Sequence, residues 1–441
     1  MNEPIFYVSP DLSRAIGLET ELENYHIICL DDSQLVDLLM ARGMKVFSLE
    51  RALGRKNQVI RSTGEILAHP LVQTYIEKES LGERPNLLFF KPSKKIENVA
   101  RQKSYFLLGN PSSLNEKFED KISFYNLCRE YDLPVPEGEI VSLPDARYVD
   151  LKEKYGPNFV FQFGHGWAGN TTYFVKDKEG FTNLLRNCPV VKARVTRFVK
   201  GETYLNNVCV TRDKIYISPS AIQITAPDGF TKNPGGTCGR QWPARLNTRS
   251  KNQIEEYSRK VGMMMREAGY RGFFGLDFLL EEETGKVYLS ENNARLTASV
   301  PMFTKLQLKA RQTPLLLRHI LEFLGDEQPT DTENDDEISG SEIIIRNNTS
   351  TPVRVTKSFP AGIYTFKEKL HKVRDGYSLS DIESDDEFLM IAAEEGRIVT
   401  SENELARLDC PVSILDDQGI KSWAKKTLQE VKNLLNLVNN G

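Results

Sequence analysis

Apolar positions in this chain fall into short continuous runs, strict alternations and helical stripes. YHIICL, residues 25–30, reads as a buried strand, DDSQLVDLLMARG as a helix ending at Gly43, and MKVFSL as a second strand. LVQTYIEK adds a helix and NLLFFKP, Asn86–Pro92, another strand. This β-α-β order predicts a Rossmann-like layer over 1–112. No G-x-G-x-x-G occurs there, so it carries no dinucleotide signature. In EDKISFYNLCREYDLPVPEG, Ile122, Tyr125 and Cys128 recur at helical spacing, joined by Phe124 and Leu127. Pro134 disfavours helix at Leu133 and stops this one by Asp132. NFVFQF and TTYFV predict two strands around the loop GHGWAGN. The stretch from VTRFVKGETY to PSAIQIT predicts a run of strands, with turns at Lys200-Gly201 and Arg212-Asp213.

Ser250 to Gln253 has the form of a capping box. It precedes the apolar stripe Ile254, Tyr257, Val261, Met264, Met265 and Ala268, and Gly269 can end that helix. QLKARQTPLLLRHILEFLG is a further helical region, with Pro314 a start or a break. The residues 113–325 therefore form a second domain. Asp326–Glu337 contains seven acids and no large apolar residue, which predicts a solvated linker over 326–340. Beyond it, SEIIIRNN, TPVRV, IYTF, EFLMIAAEE and PVSIL predict short strands, and Lys421–Asn439 a final helix. The residues 341–441 read as a small β-rich domain.

Composition narrows the class. The 441 residues are 40% hydrophobic and 27% charged, enough for buried cores. A net charge of −4 gives no global pull toward nucleic acid or an anionic membrane. No apolar run reaches the roughly 18 residues of a membrane span, and the first residues lack the pattern of a secretory signal. The six cysteines, at 29, 128, 188, 209, 238 and 410, form no C-x-x-C, and the five histidines are dispersed. Zinc chemistry is not indicated, and a cytoplasmic protein with reduced thiols is expected.

The candidate chemistry lies in Gly272–Arg295, GFFGLDFLLEEETGKVYLSENNAR. Two apolar runs around the polar turn Glu281–Gly285 predict a β-hairpin. A turn centred near Thr284 sets Asp277 opposite Glu291, Leu279 opposite Leu289, and Gly275 opposite Asn293. Asp277, Glu291 and Asn293 then share a face, since positions two apart point the same way. Opposed like charges about 5 Å apart repel, and a divalent cation removes the repulsion. Two carboxylates and an amide are hard oxygen ligands suited to Mg²⁺. The alternative is a hairpin whose acids face water, against which the apolar flanks argue. The loop Gly164-His165-Gly166-Trp167-Ala168-Gly169-Asn170-Thr171 has three glycines, which allow backbone N–H groups close to an anion. Alone, it is equally an ordinary hairpin loop.

The G-x-D followed by E-N-N-x-R resembles the metal-binding end of the ATP-grasp superfamily. That resemblance implies Mg²⁺ held by Asp277, Glu291 and Asn293, with Arg295 beside them. It also implies that the glycine loop (Gly164, Gly166, Gly169) closes on ATP phosphates. Lys121, in an Asp-Lys pair at a helix start, matches a phosphate-contacting lysine. D-K, glycine loop, hinge, G-x-D and E-x-N-x-R follow in the family's order from Lys121 to Arg295. Two departures stand out. Gln162 occupies the end of the strand where the family commonly has a second lysine. The hinge, Thr196-Arg197-Phe198-Val199, lacks the family's glutamate. Backbone groups of Arg197 and Val199 are then the candidates for the adenine edge, and Glu202 for the ribose. Arg240 is the candidate replacement for the missing charge, and Gln223 resembles an active-site glutamine of some members.

The fold so implied is α/β: a Rossmann-like N-terminal domain, a two-lobed ATP-grasp domain and the small β-rich C-terminal domain. The implied activity is ADP-forming ligation of a carboxylate to an amine, such as an amino acid's, through an acylphosphate. Its requirements are ATP and Mg²⁺, small-molecule substrates, no nucleic acid and no membrane, and a homodimer is possible. Phosphoryl transfer to a hydroxyl, a carboxylase subunit and a non-catalytic ATP-binding regulator are the alternatives.

Overall fold

Five short strands open the chain: β1 (Ile5–Val8), β2 (Tyr25–Cys29), β3 (Lys45–Ser48), β4 (Asn86–Phe89) and β5 (Phe106–Leu107). Every residue of β1, β2 and β4 is buried, as expected for parallel strands covered on both faces. They pair in parallel in the order β3-β2-β1-β4-β5, with helices such as Gln34–Ala41 and Pro70–Glu79 between them. The computed structural model describes residues 3–440 apart from 59, 61, 168–169, 189–191, 226–230, 232–235, 331–337 and 418, and only the backbone at 165–167 and 170–171. Part of the acidic linker and Gly169 thus lie outside the described residues.

The next strands form a separate antiparallel sheet: β6 (Gly138–Ser142), β7 (Phe159–Trp167), β8 (Asn170–Val175) and β9 (Lys192–Arg197), in the order β6-β9-β7-β8. Alternation decides what each face carries. Phe159, Phe161 and Phe163 of β7, with Ala193 and Val195 of β9, pack in one cluster with Leu151, Phe181 and Leu184 of two covering helices. The intervening residues Gln162 and Arg194 face the other way, toward the helix Lys121–Glu130 and the Asp277 hairpin.

The third sheet contains β10 (Gly201–Val210), β11 (Ile215–Ile217), β12 (Ala221–Thr225), β13 (Thr237–Trp242), β14 (Gly272–Glu281), β15 (Val287–Asn293) and β16 (Gly340–Arg346). Its order is β15-β14-β10-β12-β13-β16, with β11 beside β10. Strands Glu404–Cys410, Glu387–Ala392, Gly362–Phe366 and Leu370–Arg374 continue it, making 11 strands. The C-terminal strands therefore extend the site-bearing sheet through the β13–β16 pairing. Glu404–Cys410, ELARLDC, is a strand that the apolar pattern did not single out. Its Arg407 and Asp409 are charged yet buried, because Glu342 and Lys305 pair with them.

Local differences have local causes. The long helix runs Thr248–Glu267, and its cap is Asn247, whose side chain accepts from Ser250 N, so Ser250 lies inside it. The final helix stops at Leu434, and Leu437–Asn439 pairs with Val353–Val355 as a strand. PVSIL is mostly irregular, with only Leu415–Asp416 in a two-residue strand.

The hairpin is fixed at its root by a neutral histidine. Gly272 has φ +78° and a Cβ there would overlap the His319 ring, so glycine is required on both counts. Phe273 N donates to His319 Nδ1 at 2.9 Å, and His319 Nε2 lies 3.0 Å from Leu108 O beyond β5. Burial pushes His319 down to about 4. A group depressed in the fold from an ordinary value near 6.5 stabilises fully above that value and loses its contribution as pH falls toward 4. The loss is roughly 3 kcal/mol. His26, also lowered to about 4 by burial, adds in the same direction. Acid denaturation of His319→Gln is therefore expected to take up about one proton fewer than wild type between pH 6.5 and 4. An unchanged proton uptake rejects this account.

Candidate active site

Asp277 pairs with Glu291, and Gly275 with Asn293, as the hairpin pattern predicts. Nearer the turn the register moves by one: Phe278 faces Leu289 and Leu279 faces Tyr288, so the expected Leu279–Leu289 pair does not form. Ser290 is the extra residue. Without the bulge it makes, Leu289 would share a face with Glu291. With it, Leu289 turns into the core beside Phe278 while both acids stay on the open face. The backbone freed by the bulge is used. Leu289 N donates to Pro134 O at 2.8 Å, and Ser290 O accepts from Arg194 Nη2 at 3.3 Å.

The acids lie in a net of amides and cations. Gln223 Nε2 donates to Asp277 Oδ1 at 2.5 Å, and Thr237 Oγ1 to Gln223 Oε1 at 2.7 Å. Asn293 Nδ2 donates to Asp277 Oδ2 at 3.2 Å, and its Oδ1 accepts from Arg295 Nη2 at 2.9 Å. Lys121 Nζ lies 2.5 Å from Glu291 Oε1. Burial, and then the opposed Glu291 carboxylate, push Asp277 up to about 7. Such a pair favours added positive charge, and the Lys121 ammonium stands where part of it is wanted. The donor set of Asp277, Glu291 and Asn293 oxygens fits Mg²⁺. Among the described residues, no group of three or more His, Cys, Asp or Glu is placed to hold a metal, so any cation here relies on the amide or on substrate oxygens.

Lys121 begins a helix capped by Asp120, whose Oδ1 accepts from Ile122 N and Ser123 N. A Cβ on Gly164 would overlap the Asp120 carboxylate, so glycine lets β7 pass against this helix start. Gly166 lies in β7 just beyond. Gln162 bonds Arg194, its partner in the β7–β9 register.

At the hinge, Arg197 N donates to Glu137 O at 2.9 Å. Its guanidinium pairs with Glu281 at 2.6 Å, at the far end of the hairpin. Its N–H is thus committed within the protein. Val199 is buried, and exposed Glu202 accepts from Tyr204 OH at 2.5 Å.

Beside the acids opens a cavity of about 370 Å³. Asp277, Glu291, Arg240, Arg295 and Asn207 line it, and Arg14 reaches it from the N-terminal layer. Arg240 pairs with fully buried Glu342, which Arg407 also holds. Arg295 Nε lies 3.2 Å from Glu119, and its guanidinium stacks 4.8 Å from the Phe90 ring centroid. Arg14 stacks on the same ring at 4.1 Å.

Arg194, Glu119, Glu342, Asn207 and Arg14 escape a motif-based reading. Only Arg194 leaves a trace: in KARVTR it is a charged residue set between the apolar Ala193 and Val195 in mid-strand, paired with Gln162.

No protein-family model matches the chain. It is 20% identical over 284 residues to the carbamoyl phosphate synthase large chain of Methanosarcina mazei, covering 60% of this chain and 26% of that one. The match thus spans about a quarter of that relative's length. The fold is similar to a biotin carboxylase from Campylobacter jejuni in complex with βγ-ATP, with TM-score 0.63 and 12% identity over 99% of this chain and 92% of that one. It is also similar to phosphoribosylamine–glycine ligase of Thermotoga maritima, with TM-score 0.56 and 14% identity over 99% and 98% of the two chains. These likenesses cover 99% of this chain in each case, so the parallel layer, the four-stranded sheet and the hairpin sheet together form a fold that the chain shares with these two proteins.

Proposed function

We propose that this chain is an ADP-forming, Mg²⁺-dependent ligase that joins a carboxylate to an amine. The observation that carries the reading is the opposed Asp277–Glu291 pair beside Asn293, opening onto a cavity lined by Arg240, Arg295 and Arg14. Asp277, Glu291 and Asn293 are the residues that would hold the metal, which when bound neutralises phosphate charge. In this reading Lys121, Gln162, Gly164 and Gly166 would approach the phosphates, as the resemblance implies, and Gly169 of the same loop lies outside the described residues. The nucleoside would then bind along the hinge, with Val199 and Glu202 as its candidate contacts, because Arg197 N is already bonded to Glu137 O. Phosphoryl transfer asks mainly for positioning and charge neutralisation and needs no side-chain nucleophile.

In this reading a substrate carboxylate oxygen attacks the γ-phosphorus as the bond to the ADP oxygen breaks. The amine nitrogen then attacks the acyl carbon, loses a proton, and expels phosphate. Arg295 and Arg240 lie on the cavity wall where negative charge develops. Asn207 Nδ2, buried and without a partner among the described residues, is a further donor for a substrate oxygen. The ligase core corresponds to 113–325, flanked by the N-terminal layer 1–112 and the C-terminal part 341–441. Three arginines at one cavity favour a small anionic substrate over a neutral alcohol. The test is a screen of amino acids and small carboxylates with ATP and Mg²⁺, reading ADP and phosphate. Stoichiometric ADP, phosphate and amide product support ligation. ATP binding with no substrate-dependent ADP favours the non-catalytic alternative.

A further inference from the structure

The cleft face of the four-stranded sheet holds a buried cation whose charge the protein leaves incompletely answered. Arg194 is 2% exposed. Its Nη2 donates to Gln162 Oε1 and, at 3.3 Å, to Ser290 O. Its guanidinium lies 5.4 Å from the Tyr125 ring centroid. Nε and Nη1 have no partner among the described residues. The acid whose field reaches Arg194 is Glu291, and Glu291 is already ion-paired to Lys121. Two charged donors left unbonded in a buried place are costly, which points to a missing anion.

The position identifies that anion. Gln162 stands where a phosphate-binding lysine is commonly found in the superfamily, and Arg194 is its cross-strand partner on the same face. Lys121 approaches Glu291 from the capped helix start, and Arg194 approaches from β9. Arg240, the residue that the sequence alone suggests as replacement, is instead committed to Glu342 and lines the substrate cavity.

We propose that Arg194 supplies the nucleotide-phosphate-binding charge that β7 lacks, with Gln162 orienting its guanidinium. This rests on the reading of the cleft as a nucleotide site. A guanidinium presents parallel donors that match two phosphate oxygens, which a lysine at 162 would not do. Engagement of Glu291 by a divalent cation would release Lys121 toward the same phosphates.

The test is calorimetric binding of ADP and of adenosine, each with Mg²⁺, which does not depend on turnover. Arg194→Met is expected to weaken ADP binding roughly tenfold or more, the size of one charge-assisted hydrogen bond. Adenosine, which has no phosphate, should bind within about threefold of wild type. Because Arg194 is buried, the exchange Gln162→Lys with Arg194→Gln is the second variant. It returns the charge to β7 and should recover ADP affinity. Unchanged ADP affinity in folded Arg194→Met overturns the assignment, as does an exchange variant that binds adenosine but not ADP. A wild type that binds neither ligand overturns the nucleotide-site reading itself.

Discussion

Glu291→Gln is expected to lower Mg²⁺-dependent ATP turnover by roughly a thousandfold, about 4 kcal/mol of transition-state stabilisation. Glutamine keeps the volume and one oxygen of the side chain but removes the charge that faces Asp277 across the hairpin. The same change reaches Lys121, which is 6% exposed and has Glu291 as its ion-pair partner at 2.5 Å. Removing the partner of the buried Lys121 ammonium leaves that charge uncompensated, so the thermal midpoint without metal should fall. The stabilisation that Mg²⁺ confers on wild type should vanish, because binding energy adds to the folded state only where a site exists. Turnover and a Mg²⁺-dependent midpoint both normal at saturating ATP would falsify the role of Glu291.

Arg295→Ala is the second large effect, expected at roughly a hundred- to a thousandfold in kcat, the range for losing one preorganised donor to developing negative charge. Arg295 is built into its place. Glu119 takes its Nε, Asn293 its Nη2, and Phe90 lies under its plane. Glu119 is itself braced by Lys91 at 2.8 Å. Burial would raise the Glu119 carboxyl, but Arg295 and Lys91 outweigh it and hold it below the ordinary range. Arg295→Lys should recover little, since an ammonium cannot bond Glu119, Asn293 and a substrate oxygen in one plane. ADP affinity should stay within about threefold, separating this residue from the phosphate-binding cations. A lysine variant with wild-type kcat would show that charge alone suffices and that the fork has no role. Glu119→Gln, which touches no substrate-facing atom of Arg295, should lower kcat less than Arg295→Ala does.

The hairpin shows why part of this site was open to reading in one dimension. Two apolar runs joined by a five-residue polar turn leave few registers, and the acids pair as a turn centred near Thr284 predicts. The one-residue slip toward the turn was not readable, because Ser290 looks like any other strand residue. It is extra only because both Leu289 and Phe278 must reach the same core while Glu291 must not. The cap at Asn247 shows the same limit on a smaller scale. Asn247 and Ser250 are both good caps, and the first turn of the helix, not its composition, selects between them.

Although residues 164–167, read as loop, continue β7 as strand, the sequence by itself determined the β-α-β layer, the pairing of the strands that flank the glycine-rich segment, and the face shared by Asp277, Glu291 and Asn293. Those follow from short-range periodicity and from the conformational freedom of glycine and proline, which act within a few residues. Tertiary structure alone decided which cation stands beside Gln162. Arg194 lies 32 residues further on and meets it only through β7–β9 pairing. It likewise committed Arg240 to Glu342, 102 residues away, and brought Arg14 and Phe90 of the first layer to Arg295. Charge acts through space over several ångströms and is indifferent to separation along the chain, so its partners are set by how the sheets pack.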